Sequence, residues 1–281
     1  MAEIIDGKKI SQEIKDELKE KVAAMHAQGQ EVTLAVVLVG QDPASCVYVR
    51  NKKRACEYIG IRSLSYELAE DTSEEEVLAL IDKLNGDKDV NGILVQLPLP
   101  KHMDEDKITR AIDPLKDVDG FHPQNVGALS IGLPGFVSCT PAGIIQLLKR
   151  SHIDMEGKHC VIVGRSNIVG KPMALLMLRE NATVTVTHSK TKDLASVTRQ
   201  ADILIVAIGK KQFITADYVK EGVVVIDVGM HRGENNHLCG DVAYDEVASH
   251  CSAITPVPGG VGPMTIAMLM HNCLESVDLQ K

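Results

Sequence analysis

Lys52 is the residue of this sequence best placed to do chemistry, because it interrupts the apolar stripe of a helical segment. At about 100° per residue, Ala44, Tyr48, Lys52, Ala55 and Ile59 fall in one arc, extended by Val49 and Cys56. Arg50, Lys53, Arg54 and Glu57 share the opposite side. A lysine turned inward loses hydration, which favours the free amine that proton transfer requires. Tyr48, one turn earlier, stands beside it. The alternative is a lysine that lays its stem along apolar surface and delivers its ammonium to water, and the helix alone leaves both open. Gln96 ends an apolar run stopped by Pro98, and Asp119 sits in the loop Asp117-Val-Asp-Gly-Phe121. A carboxylate in that loop either accepts paired N–H donors from a heterocycle or simply holds a turn.

A second set of residues suits phosphate. His159-Cys-Val-Ile-Val-Gly164 reads as a strand, Arg165 to Gly170 as a turn, and Lys171 onward as a helix. In this topology the helix N-terminus and close-approaching glycine backbone receive a dinucleotide pyrophosphate. The spacing is Gly-x-x-x-x-x-Gly, not Gly-x-Gly-x-x-Gly, so a plain structural turn fits equally well. The next run, Thr183 to Thr187, ends in His188-Ser189-Lys190, without the carboxylate that holds an NAD ribose. Arg165, Ser189 and Lys190 suit a 2′-phosphate through charge-assisted hydrogen bonds, which favours NADP; solvated surface charges would look the same.

The elements that must position these groups are well signalled. Asp42 caps the Lys52 helix, Pro43 suits its first turn and Gly60 supplies a left-handed stop. Short β-branched runs recur at 32–39, 90–97, 159–164, 183–187, 203–208 and 223–228. Helical patterns lie between them: Ile10, Ile14, Leu18, Val22 and Met25, then a Ser73-x-x-Glu76 capping box before Val77, Leu80, Ile81 and Leu84. The alternation predicts an α/β protein with parallel sheets. Residues 98–141, rich in Pro, Gly and Asp, read as active-site loops and an interdomain join with weak helical patterning near 104–112. Thr255 to Thr265 combines three prolines and three glycines before an apolar helix from about Pro263.

With 281 residues, 44% of them hydrophobic, the chain suits two domains with real cores. A net charge of -8 provides no sequence-wide basic field for nucleic acid or an anionic membrane, so a small-molecule partner is expected. Seven scattered cysteines without Cys-x-x-Cys or zinc spacing suggest reduced structural thiols and no metal. The amino terminus lacks a signal-type region and no apolar run approaches about 18 residues, so a cytoplasmic protein is expected.

Together these motifs resemble the bifunctional methylenetetrahydrofolate dehydrogenase and methenyltetrahydrofolate cyclohydrolase family. The resemblance rests on Val39-Gly-Gln-Asp-Pro-Ala-Ser45, Tyr48-Val-Arg-Asn-Lys52, Val95-Gln-Leu-Pro-Leu-Pro100, Lys116-Asp-Val-Asp-Gly-Phe121 and Cys139-Thr-Pro-Ala-Gly143. Gly164-Arg-Ser-Asn-Ile-Val-Gly-Lys-Pro172, His188-Ser-Lys190 and Pro256 to Thr265 extend it almost end to end. It implies a folate-binding catalytic domain of residues 1–139 completed by helix 263–281, a Rossmann-like NADP domain of residues 140–262, and an active-site cleft between them. It further implies Lys52 as the catalytic lysine, Gln96 as its hydrogen-bond partner, Tyr48 on the folate aromatic region, Asp119 on the pterin, and Gly259 and Gly260 bordering the folate. Gly164, Arg165 and Ser166 would bind the cofactor, with Ser189 near the 2′-phosphate and Met230 near the nicotinamide. Homodimers and tetrahydrofolate substrates, in one-carbon metabolism and purine biosynthesis, are also implied. Met230-His231 stands where the family often has Ile-Asn, and Ser138 where it often has proline. The competing expectations are a dehydrogenase without cyclohydrolase activity and a noncatalytic dinucleotide sensor.

Overall fold

The computed structural model of the protein describes residues 2–233 and 237–280. Its strands are β1 (Glu3–Ile4), β2 (Thr33–Val39), β3 (Arg62–Leu68), β4 (Gly92–Val95), β5 (His159–Val163), β6 (Thr183–Thr187), β7 (Ile203–Val206), β8 (Val223–Asp227), β9 (His231–Arg232), β10 (Leu238–Cys239) and β11 (Cys251–Ile254). The helices are α1 (Gly7–Ala27), α2 (Pro43–Ile59), α3 (Glu74–Gly86), α4 (Glu105–Ala111), α5 (Pro123–Ile131), α6 (Cys139–Arg150), α7 (Gly170–Arg179), α8 (Leu194–Thr198), α9 (Tyr244–Val247) and α10 (Val261–Leu279). Among the described residues, no helix is long and apolar enough to cross a membrane.

The chain forms two compact units, each assembled from separated segments: residues 12–139 with 266–281, and residues 1–11 with 140–265. The first holds a parallel sheet in the order β3-β2-β4. Strand β2 is buried throughout, as its continuous apolar sequence requires. Ala35, Val37 and Val39 pack with Val77, Ile81 and Leu84 of α3 and Ile108 of α4. The α3 capping box is present, with Ser73 Oγ accepting from Glu76 N and Glu76 Oε2 from Ser73 N. Residues Ile266–Leu279 of α10 add Met268, Leu269, Met270, Cys273 and Leu274 to the buried set.

The second unit holds six parallel strands in the order β1-β11-β8-β7-β5-β6. Strands β6 and β7 lie on opposite sides of β5, so the strand order reverses there, which is the ligand-binding position in open α/β sheets. Residues 1–11, expected with the catalytic segment, instead join this unit, because β1 pairs in parallel with β11 through Glu3↔Ala253 and Ile4↔Ile254. A two-residue strand leaves no periodicity to read.

The segment expected to be loop-rich carries α4, α5 and the start of α6. Helix α5 is short and weakly amphipathic, and is delimited by His122, whose Nδ1 accepts from Gln124 N, and Gly132 at φ 78°. Strand β3 shows no apolar run because it is a half-exposed edge, reading Arg-Ser-Leu-Ser-Tyr-Glu-Leu.

Candidate active site

Helix α2 folds as its termini dictate: Asp42 Oδ2 accepts from Ser45 N at 2.8 Å, and Gly60 at φ 97° donates its N–H to Cys56 O. Val49, Ala55, Cys56 and Ile59 are buried, Arg50, Lys53, Arg54 and Glu57 exposed, and Lys52 is only 7% exposed. Ala44, assigned to the same arc, has a side chain outside the described residues. Lys52 Nζ donates to Gln96 Oε1 at 2.9 Å. Gln96 follows β4, with its N–H on Val37 O, and its Nε2 donates to Leu97 O at 2.6 Å. That second bond fixes the amide so that its oxygen faces the lysine. The ammonium therefore does not snorkel to open water; it ends on a partner that the fold supplies. Tyr48, one turn before Lys52, is half-buried, and desolvation pushes its phenol up.

Asp119 joins the pair from a different loop. Part of its surface is accessible, yet burial pushes its carboxyl up while the Lys52 charge acts in the opposite direction. Residues with no assigned role hold it. Gly120 sits at φ 72°, and a β-carbon there would lie 2.7 Å from Ser138 N, so the turn tolerates only glycine. Asn272, buried in α10, donates to Val118 O at 2.8 Å and Val137 O at 3.0 Å. The Cys139 thiol, kept protonated by burial, faces Val118 O at 3.5 Å and Asp119 Oδ1 at 3.9 Å. Asp117 Oδ2 accepts from His122 N at 2.7 Å and Asn125 Nδ2 at 2.9 Å. An asparagine beside the apolar run Ile266 to Met270 was the available signal for Asn272; Asp117 and Cys139 lay in the quoted motifs, but spacing could not show what they hold.

In the second unit, Gly164 ends β5 at φ 132°, and a β-carbon there would come within 2.2 Å of Ala207 O. Gly170 opens α7 equally close to Gly164 O, at 2.4 Å. Ser166 Oγ accepts from Val169 N and Gly170 N, closing the turn, so its hydroxyl oxygen is engaged within the loop. Arg165 and Ser166 are exposed, as are Ser189 and Lys190 beyond the end of β6. Strands β5 and β6 pair through Val163↔Thr187, which brings Arg165 and Ser189 to the same edge. Met230, 48% exposed, follows β8. Gly259 and Gly260 belong to this unit, where Gly259 O accepts from Lys8 N at 3.0 Å. A glycine turn with no room for side chains, an α-helix N-terminus and the exposed cations Arg165 and Lys190 fit a dinucleotide bearing a 2′-phosphate.

A doubly wound sheet with a glycine turn at its switch point, in a chain that also buries a lysine against an amide, defines a dinucleotide-dependent α/β enzyme. The tetrahydrofolate dehydrogenase/cyclohydrolase catalytic-domain model matches residues 5–119, and the NAD(P)-binding-domain model of the same name matches residues 138–281. The chain belongs to that family. It is 72% identical to the bifunctional protein FolD of Agathobacter rectalis over 277 residues, 99% of each chain. The crystal structure of the bifunctional FolD from Campylobacter jejuni superposes with a TM-score of 0.98 at 54% identity, covering 100% of both chains. The Trypanosoma brucei dehydrogenase-cyclohydrolase, solved with NADP cofactor and inhibitor, superposes with a TM-score of 0.94 at 37% identity, covering 99% of this chain and 97% of that one.

Proposed function

We propose that this bifunctional folate enzyme, which oxidises 5,10-methylenetetrahydrofolate to 5,10-methenyltetrahydrofolate with NADP and hydrolyses the product to 10-formyltetrahydrofolate, uses Lys52 as the proton carrier of its second step. The observation that carries the assignment is the 2.9 Å hydrogen bond from buried Lys52 Nζ to Gln96 Oε1. NADP when bound supplies the hydride acceptor. The chain's residues supply orientation, which is the main requirement of a hydride step. Arg165 and Ser189 hold the 2′-phosphate, Gly164 and the Ser166 turn admit the pyrophosphate, and Met230 borders the nicotinamide. Tyr48 packs on the folate aromatic region, Asp119 takes the pterin N–H donors, and Gly259 and Gly260 flank the substrate.

Water then adds to the electron-poor methenyl carbon. As the C–O bond forms, Lys52 Nζ takes one proton of the water; as the C–N bond of the ring breaks, it returns that proton to the leaving nitrogen, and the remaining hydroxyl proton of the adduct passes to solvent as the formyl C=O forms. Gln96, locked by Leu97 O, keeps the amine aimed through both transfers. On this reading the unit of residues 12–139 and 266–281 is the catalytic domain and the other is the NADP domain, within a cytoplasmic homodimer that supplies one-carbon units for purine biosynthesis.

The test is to mix the protein with 5,10-methylenetetrahydrofolate and NADP and follow reduced cofactor and the methenyl chromophore together. Reduced cofactor without methenyl accumulation is expected. Accumulating methenyl would leave a dehydrogenase alone, and absence of reduction with either NADP or NAD would leave a sensor.

A further inference from the structure

The crevice at the switch point has two walls. One is the Gly164 turn; the other is the segment after β7, whose Ala207 carbonyl lies against that turn. A single carboxylate holds this second wall. Asp241 is fully buried, and its Oδ2 accepts from Ile208 N at 2.8 Å and Gly209 N at 3.0 Å. Its Oδ1 accepts from Lys210 N at 2.8 Å and from His231 Nε2 at 2.7 Å. Three consecutive main-chain amides and one imidazole thus converge on one side chain. A carboxylate only accepts, so His231 carries its proton on Nε2.

Asp227 locks the same corner, accepting from Gly229 N, Asp241 N and Val242 N. A β-carbon on Gly229 would lie 2.5 Å from Asp241 Oδ1, so the chain leaving β8 can pass this carboxylate only as glycine. The next residues are Met230 and His231. The segments leaving β7 and β8 are therefore tied together by two buried carboxyl groups, Asp241 and Asp227, above the apolar core that holds Val206, Ile214 and Val242.

We propose that Asp241, completed by His231, is a positioning residue for the cofactor, holding residues 208–210 and Met230 as the wall for the nicotinamide half of the dinucleotide. This rests on the NADP reading above. With the pyrophosphate on the α7 N-terminus, the far half of the dinucleotide falls to the β7 and β8 ends. Asp241 touches no reacting atom and acts through the main chain that it holds.

The experiment measures NADP dissociation constants by calorimetry and, separately, methenyl hydrolysis with no NADP present. Asp241→Asn replaces one acceptor oxygen with a donor facing amide N–H groups, and NADP binding is expected to weaken about tenfold or more. His231→Leu removes one donor and is expected to weaken it about threefold, with His231→Gln restoring most of the loss. Hydrolysis measured without NADP is expected to stay within about twofold in all three, since proton transfer at Lys52 uses none of these groups. Unchanged NADP affinity in folded His231→Leu and Asp241→Asn would overturn the proposal, as would hydrolysis falling in step with affinity. If Asp241→Asn does not fold, the two His231 variants decide. Absence of NADP binding by the wild-type chain would overturn the cofactor reading itself.

Discussion

Lys52 combines burial with a side-chain amide acceptor whose own orientation is fixed; Lys171 ends on Asn167 Oδ1 at the exposed surface, and buried Lys116 ends on main-chain carbonyls. Lys52→Met keeps volume and removes the ionisable group. We expect the fold and NADP binding to survive and methenyl hydrolysis to fall by about 10² or more, as for loss of a general acid–base; hydrolysis at the wild-type rate would sink the role. Arg165 carries charge where the neighbouring strand offers no carboxylate. Arg165→Ala should weaken NADP by about tenfold while changing NAD little, and equal losses for both cofactors would remove the 2′-phosphate assignment. Asp117 gives a pH signature. Burial pushes its carboxyl from the ordinary 3.8 to about 7. The folded state therefore holds this proton more tightly than the unfolded chain, and stability falls as pH rises from about 4 through 7. Asn at 117 keeps an acceptor for His122 N and Asn125, and places N–H₂ where Oδ1 lacks a hydrogen-bond partner. Thermal midpoints of Asp117→Asn should gain on wild type between pH 5 and 8, and parallel curves would refute the buried titration.

At the scale of elements, termini are where local chemistry spoke most clearly. The caps at Asp42, Gly60 and the Ser73–Glu76 box all stand as their residue types require. Ser73→Ala should cost about 1 kcal/mol, read as a lower denaturation midpoint with both activities intact; an unchanged midpoint would show the box to be idle. Elements shaped by neighbours were less legible. Edge strand β3 alternates polar and apolar residues with no continuous run, β1 is two residues long, and α5 is weakly amphipathic. Strands such as β1 and helices such as α5 are defined by what they pair with or pack on, so periodicity within their own few residues could not announce them, whereas β3 does carry the period-2 alternation of a half-exposed strand, a weaker mark than a continuous apolar run.

At the scale of the molecule, neither unit is a contiguous stretch of chain. The catalytic unit depends on α10 for Met268, Leu269, Met270, Cys273 and Leu274, and on Asn272 to hold the Asp119 loop. Burying large apolar side chains contributes about 1.5–3 kcal/mol each, so the two methionines and two leucines alone rival the 5–15 kcal/mol, roughly, of a whole domain. A fragment of residues 1–139 should therefore fail to unfold cooperatively in urea, and adding a peptide of residues 261–281 should recover a transition. Cooperative unfolding of the fragment alone would show that α10 is dispensable.

The sequence by itself determined the class of fold, the Lys52 helix with its ends, the glycine turn before α7 and the missing carboxylate after β6. All of these follow from periodicity, caps and the conformational limits of single residues, which act over a few positions. The family resemblance implied that Gln96 receives Lys52; only the tertiary structure decided the geometry of that contact, that Asp119 is held from α10, and that Asp241 gathers three amides and His231. Those contacts join residues 10 to 154 positions apart along the chain. Hydrogen bonding and burial act between groups that folding brings within ångströms, and no local pattern encodes which groups those are.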